Sequence, residues 1–299
     1  MGHDVAAAAE ELLGAPVRNL RRIERGYGNE NWRLSTNDGD VVVKVGLLET
    51  DAAKWTAATR AQSLAADAGV PVPALLAFTP SCAALGGRVV QIIEFVDGVH
   101  PQSLRDPSAG RVFFAEFGAA LARLHSVQWY GFSSRLDGSA PAFTTWIEYV
   151  EYRLPQIERR GGGAFAPGEF AYIANVARET AAAVAPTVTP ALTHRDLFFD
   201  NLLVRPDGHL VAILDWDAAE AWDPAIDLVK PRYQMFSSAP EAAVDAFWAA
   251  YPALDRLDER LLVVDLLEQA NAVANARITG DTEYEQRCRR WLRSALRSA

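Results

Sequence analysis

The sequence predicts an α+β protein of two lobes: an N-terminal antiparallel sheet with a helix over residues 1–95, then a larger, mainly helical lobe over 96–299. Three observations carry this. Before residue 95 the apolar residues come in short β-branched runs such as "VVVKVG" and "RVVQIIEFV", divided by turn-rich links such as "STNDGD". Beyond it, five long segments repeat apolar residues at helical spacing. Half of the 299 residues are apolar and 22% are charged, which suits one large domain or two modest lobes.

In chain order, "DVAAAAEELLG" reads as a helix stopped at Gly14, followed by strands at "LRRIERG", "NWRLST" and "VVVKVG". "TDAAKWTAATRAQSLAADAG" is a helix with Thr50 or Asp51 as N-cap and Gly69 as its end. "VPVPALLAF" and "GGRVVQIIEFV" complete the sheet, and "FVDGVHP" is the boundary between lobes. Helices are expected in "RVFFAEFGAALARLHSV", "TTWIEYVEYRLPQIERR", "EFAYIANVARETAAAVA", "APEAAVDAFWAAY" and "ERLLVVDLLEQANAVANARI". Between them, "RRGGGAFAPG" is a loop, and "ALTHRDLFFDNLLVRPDGHLVAILDWD" reads as strand, loop, strand, turn, strand.

Composition narrows the function. A net charge of −9 argues against a phosphate-backbone binder, which needs clustered Lys and Arg, and favours a neutral or cationic small substrate. Cys82 and Cys288 lack metal spacing and are read as structural thiols of a reducing compartment. The acidic start and the lack of a long apolar run point to a cytoplasmic protein with no membrane and no obligate protein partner.

The chemistry gathers at "HRDLFFDN", which matches the phosphotransfer catalytic loop H-R-D-L-x-x-x-N. In that loop the Asp takes the proton of an attacking hydroxyl and the Asn holds Mg2+, here Asp196 and Asn201. Fourteen residues after Asn201, "ILDWD" brings Asp215 out of an apolar strand as a second oxygen ligand, unless Asp215 or Asp217 merely ends the strand. Lys44 stands mid-strand as one of only three lysines in an Arg-rich chain, the type of group that reaches the phosphates of a nucleotide. Gly26 and Gly28 in "RGYGNENW" offer a backbone-to-phosphate loop, although Asn31 replaces the third Gly. Backbone groups around Glu94 and Val96 in "QIIEFVDG" are placed to meet adenine.

With "GYGNENWRL", "AGVPVPALL", "FGAALARLH" and above all "ILDWDAAEAWDPAIDLV", the chain resembles the aminoglycoside phosphotransferase and choline kinase-like family over roughly residues 20–275. The resemblance implies a protein-kinase-like fold, ATP (with GTP open) and Mg2+ as cofactors, and a hydroxyl-bearing small molecule as acceptor. It implies Asp196 as base, Asn201 and Asp215 as Mg2+ ligands, Asn29 in the nucleotide loop, and His194 and Asp227 as structural supports. Two departures stand out. Arg195 occupies a position where the family has Gly, and the helix Glu that would pair with Lys44 is missing, leaving Glu49, Asp51, Gln62 or phosphate alone. The letters A-P-E at Ala239 to Glu241 read as a Ser-capped helix start and not as the end of a protein-kinase activation segment.

Polar stripes on otherwise apolar helices mark the acceptor site or an ordinary solvated face. They are Asp265, Glu268, Asn271 and Asn275 on one helix, and Trp146, Glu148, Tyr149, Glu151 and Tyr152 on another, with Asp217, Glu220 and Trp222 near the base. The reading is an ATP- and Mg2+-dependent kinase of an aminoglycoside, macrolide or other antibiotic. The alternatives are a kinase of choline, homoserine or a sugar, and an inactive nucleotide-binding regulator.

Overall fold

The computed structural model describes residues 2–24, 29–47 and 51–297. Helix α1 (Gly2–Leu13) leads into strands β1 (Arg18–Ile23), β2 (Asn29–Ser35) and β3 (Asp40–Gly46). Helix α2 (Ala52–Asp67) and strands β4 (Leu75–Cys82) and β5 (Arg88–Glu94) follow, giving an antiparallel sheet of order β1-β2-β3-β5-β4. The two-residue period of β3 decides what each face does. Val41, Val43 and Val45 point into a core shared with Val5, Ala8 and Ala9 of α1 and with Val90 and Ile92 of β5. Lys44 therefore points the other way, toward α2, where its ammonium lies 5.7 Å from the Trp55 ring centroid. On that same face, Gln91 of β5, opposite Lys44, donates to Thr59 of α2 at 3.2 Å. Asp51 is the N-cap of α2, accepting from the amides of Ala53 and Lys54; Thr50 lies outside the described residues.

The second lobe begins with α3 (Pro107–His125), then β6 (Phe132–Ser133), β7 (Ala142–Phe143), α4 (Trp146–Gly161) and α5 (Glu169–Val184). Strands β8 (Ala191–Thr193), β9 (Leu202–Val204), β10 (Leu210–Ile213) and β11 (Glu220–Trp222) follow. Helices α6 (Ile226–Pro231), α7 (Glu241–Ala250), α8 (Leu257–Thr279) and α9 (Thr282–Arg297) complete it. One core joins Phe113, Phe117 and Leu121 of α3 to Tyr149 of α4, Phe247 of α7 and Val264 of α8. Gly118 lets α3 and α7 touch, because a Cβ there would lie 2.5 Å from the Phe247 carbonyl oxygen. Ala61 and Ala65 of α2 belong to this second core, which ties the first lobe's helix to the larger lobe. Both cysteines are buried free thiols.

Three features differ from the expectation. The four-stranded sheet β7-β6-β11-β8 has strands of two or three residues, too short to show a period. Helix α9 buries only Cys288, Leu292 and Ala295 along an otherwise charged surface. At the start of α7, Pro240 stands in the cap position with no side-chain hydrogen bond, so the expected Ser cap is not made.

Candidate active site

Strand β8 delivers His194, Arg195 and Asp196 to the cleft, and Asp227 at the start of α6 holds their backbone. Asp227 is 1% exposed and accepts from the amides of His194 at 2.8 Å and Arg195 at 2.5 Å. It also accepts from His125 Nε2 at 3.0 Å, while Tyr251 meets His125 Nδ1 at 2.8 Å. Burial works to raise the Asp227 carboxyl, but the His125 bond and the buried amides outweigh it and hold it below its ordinary value. The His194 ring donates from Nε2 to the Leu214 carbonyl at 2.8 Å and accepts the Asp196 amide at Nδ1 at 3.1 Å. Those two partners place the ring hydrogen on Nε2 and leave Nδ1 as the acceptor.

Asp196 sits among donors. Lys230 Nζ reaches its Oδ1 at 2.7 Å, and Asn201 Nδ2 reaches its Oδ2 at 3.0 Å and its backbone carbonyl at 2.7 Å. Lys230 lies three residues after Asp227 on α6, so one helix face holds both the backbone of the loop after β8 and the Asp196 carboxylate. Burial pushes the Lys230 ammonium toward neutrality, but Glu268 and Asp196 together more than reverse this and keep it charged.

Asp215 follows β10 in the left-handed region, at φ 62°. The Leu214 amide donates to the Asn201 carbonyl at 2.8 Å, which brings Asn201 and Asp215 to one edge of the cleft. Lys44 Nζ faces the Asp215 carboxylate at 3.9 Å. Burial in the cleft, together with the Asp217 and Asp196 carboxylates, raises the Asp215 carboxyl above its ordinary value despite Lys44. These residues fit Mg2+: Asn201 spends only its side-chain nitrogen on Asp196, leaving its Oδ1 on the same edge as the Asp215 carboxylate, whose one cationic neighbour, Lys44, stands off at 3.9 Å.

Of the partners considered for Lys44, Asp51 caps α2 and pairs with Arg135 at 2.5 Å, and Gln62 donates to the Pro73 carbonyl at 2.7 Å. Glu49, Gly26 and Gly28 lie outside the described residues. Asn29 opens β2 and carries a buried Oδ1 with no hydrogen-bond partner among the described residues. At the end of β5 the amides of Glu94 and Phe95 are engaged by the carbonyls of Ala74 and Asp40, whereas the Val96 amide has no backbone partner among the described residues.

A cavity of about 590 Å³ opens beside Asp196, bounded by Arg153 and Arg160 of α4, Glu268 and Asn271 of α8, Glu220 and Asp217. Its wall is an alternating ion chain. Arg195 bridges Glu220 and Glu268, the latter at 2.8 Å; Glu268 also meets Lys230 at 3.4 Å. Arg153 donates to Glu220 at 2.7 Å, as does the Tyr149 hydroxyl. Burial works against the charge on Glu268, yet Lys230 and Arg195 hold its carboxyl down at about 2.

Of the residues the sequence proposes for the acceptor site, Asp217, Glu220 and Glu268 border this cavity, as do Asn271 and Asn275. Glu148, Tyr152 and Asp265 are placed elsewhere. Glu148 closes a capping box with Thr145, Tyr152 packs at a tilt with its ring centroid 4.8 Å from that of Phe143, and Asp265 is buried against Arg232, Tyr233 and Gln269. Trp146 and Trp222 are core side chains at 1% exposure. Sequence reasoning missed Arg153, Arg160, Lys54 and Lys230. The scarcity of lysine pointed at the last two, since all three lysines border this cleft.

The sequence model of the phosphotransferase enzyme family (APH) matches residues 19–260. The chain belongs to this family. It is a small-molecule phosphotransferase with the bilobal protein-kinase-like fold. The crystal structure of aminoglycoside phosphotransferase APH(4)-Ia superposes with a TM-score of 0.74 at 17% identity, covering 100% of this chain and 99% of that one. A thermostable mutant of that protein in ternary complex with ADP and hygromycin B gives 0.71 at 17% identity, covering 99% of each chain. A candidate fructosamine-3-kinase from Thermobifida fusca YX-ER1 gives 0.69 at 21% identity, covering 98% of each chain. No curated protein matches the phosphotransferase significantly. Among its described residues no helix is long and apolar enough to cross a membrane.

The family position of Arg195 gains a physical meaning here. Its φ of 67° is one that Gly adopts freely and Arg adopts at a cost, and the Asp227 bond to its amide holds the backbone there. The side chain at this position is what closes the ion chain between Glu220 and Glu268.

Proposed function

We propose that this phosphotransferase moves the γ-phosphoryl group of ATP, bound with Mg2+, to a hydroxyl of a small molecule seated in the cavity between α4 and α8. The observation that carries the reading is Asp196, fixed by Lys230 and Asn201 at the mouth of that cavity and on the same edge as Asp215. The acceptor oxygen attacks the γ-phosphorus, the bond from phosphorus to the bridging oxygen of ADP breaks, and the hydroxyl proton passes to the Asp196 carboxylate. Asn201 and Asp215 would hold the Mg2+, which offsets charge on the phosphate oxygens when bound. Lys44 meets the nucleotide phosphates from β3, Asn29 lies beside them, and the backbone of Glu94 and Val96 meets the base. Catalysis is positioning plus charge compensation. His194 and Asp227 act as supports, since their bonds go to the backbone that carries Asp196. The lobes divide near residue 95, and the reaction belongs in the cytoplasm, where nucleotide is supplied.

An antibiotic acceptor is the first reading, supported by the fold shared with a protein whose complex holds hygromycin B. A metabolite acceptor is the second, favoured by the paired state of Glu220 and Glu268, which leaves them no charge for a polyamine. The test is mass spectrometry of pooled antibiotics and metabolites incubated with Mg-ATP or Mg-GTP, against Asp196→Ala. One added phosphate with the wild type alone supports the kinase and names its acceptor. Nucleotide bound without transfer to any pool favours the inactive regulator.

A further inference from the structure

We propose that the acceptor carries an oxyanion, a carboxylate or a phosphate, and that Arg160 of α4 binds it; this rests on the kinase reading above. Arg160 borders the cavity and forms no ion pair among the described residues. Its Nη1 donates instead to Asn271 Oδ1 at 2.7 Å and Asn275 Oδ1 at 3.5 Å. A guanidinium held by two amide carbonyls is oriented but not neutralised, and its remaining N–H groups stay available for two oxygens of an oxyanion. The same contacts turn the amide nitrogens of Asn271 and Asn275 away from Arg160 as further donors. Lys54, across the cavity on α2, likewise has no ion-pair partner among the described residues.

Of the acids that border the cavity away from the Asp196–Asp215 edge, the two buried ones, unlike the half-buried Asp217, are already spent. Glu220 is bound by Arg153, Arg195 and Tyr149, and Glu268 by Arg195 and Lys230. A cationic acceptor would find buried carboxylates fully paired and would meet Arg160 and Lys54 as like charges. An anion finds the reverse. Arg160 also feels this imbalance: partial desolvation, Arg153 and Arg195 disfavour its charge and outweigh Glu220, and a bound oxyanion would act with Glu220 against them. Arg195 is the member that shifts the balance, since Glu220 and Glu268 share its guanidinium and the left-handed backbone there would accept Gly.

The test uses the full chain with Mg-ATP and four acceptor pools, sorted as hydroxycarboxylates, sugar phosphates, neutral polyols and hydroxyamines. ADP release and mass spectrometry are the readouts. Phosphate gain confined to the first or second pool is expected, and which of the two responds tells carboxylate from phosphate. Arg160→Gln should raise the acceptor KM by about 10- to 100-fold, as loss of hydrogen bonds to a charged group implies, with a far smaller change in kcat. Arg160→Lys should restore part of it. Arg159→Gln, which alters a neighbouring arginine bonded to the Pro155 carbonyl, serves as the control. Arg195→Gly should shift turnover toward the hydroxyamine pool. Gain in the neutral or amine pools with Arg160→Gln unaffected overturns the oxyanion proposal and leaves the kinase standing. Acceptor-free ADP release with no gain in any pool also overturns the oxyanion proposal, and shows a working nucleotide site without transfer. Failure to bind nucleotide overturns both.

Discussion

The two sides of Asp196 are built on opposite principles. On the acceptor side, Lys230, Glu268, Arg195, Glu220 and Arg153 form a closed chain in which each buried charge has a partner of opposite sign. On the nucleotide side, Lys44 and Asp215 stand 3.9 Å apart, with the Asp215 side chain 48% exposed and the side-chain Oδ1 of Asn201 accepting from no donor among the described residues. A closed chain positions side chains without help from ligand, whereas a loose pair leaves room for phosphate and cation to complete it. Removing one member of a buried pair strands its partner's charge, while an exposed pair adds little to stability. The comparison therefore predicts that mutations on the two sides fail differently.

The largest effect on stability belongs to Asp227→Ala, which leaves two buried amides and His125 without their acceptor. It should cost about 3–5 kcal/mol in urea unfolding at an unchanged m-value. A loss below about 1 kcal/mol would remove Asp227 from the fixed side of the comparison. Glu268→Gln comes next, at about 2–3 kcal/mol near neutral pH, because Arg195 and Lys230 lose a shared counter-charge. This carboxyl also has a pH signature. Its folded value lies near 2 against an ordinary 4.5, so its contribution is complete above 4.5 and is lost as pH falls through that window. The wild type should lose stability between those values more steeply than Glu268→Gln, and parallel profiles would contradict the assignment. Smallest in stability is Lys44→Met, expected within about 1 kcal/mol of wild type, while its nucleotide KM rises at least about ten-fold. Equal losses of stability for Lys44→Met and Glu268→Gln would erase the contrast.

How much of this the sequence disclosed follows the same division. "HRDLFFDN" and "ILDWD" are contiguous, and phosphoryl transfer demands those residue types at that spacing, so the sequence could propose the loop and the cation edge together. The alternation in "VVVKVG" likewise placed Lys44 opposite the valines that face α1. The wall of the proposed acceptor cavity was readable only in part: Asp217, Glu220 and Glu268 were among the candidates, but Arg153, Arg195 and Lys230 come from α4, the loop after β8 and α6 and meet those acids only when folded. On α8, Asp265 and Glu268 lie three residues apart and look alike in a helical stripe. The fold sends one to Arg232 and Tyr233 and the other to Arg195 and Lys230. Glu148 shows a third fate for the same pattern, since the polar end of an amphipathic helix served its own N-terminus. Arg195 was visible as a departure from Gly, but its meaning required the φ angle and the two carboxylates it joins.

On this reading Asp196 is the base, held by Lys230 and Asn201, and does not itself bind nucleotide. The direct measurement is Asp196→Asn, a near-isosteric change, followed by phosphate transfer and Mg-nucleotide binding on the same preparation. The account predicts a fall in kcat of about 10²- to 10⁴-fold with nucleotide affinity retained. Wild-type turnover in Asp196→Asn, or loss of nucleotide binding in parallel with activity, would contradict it.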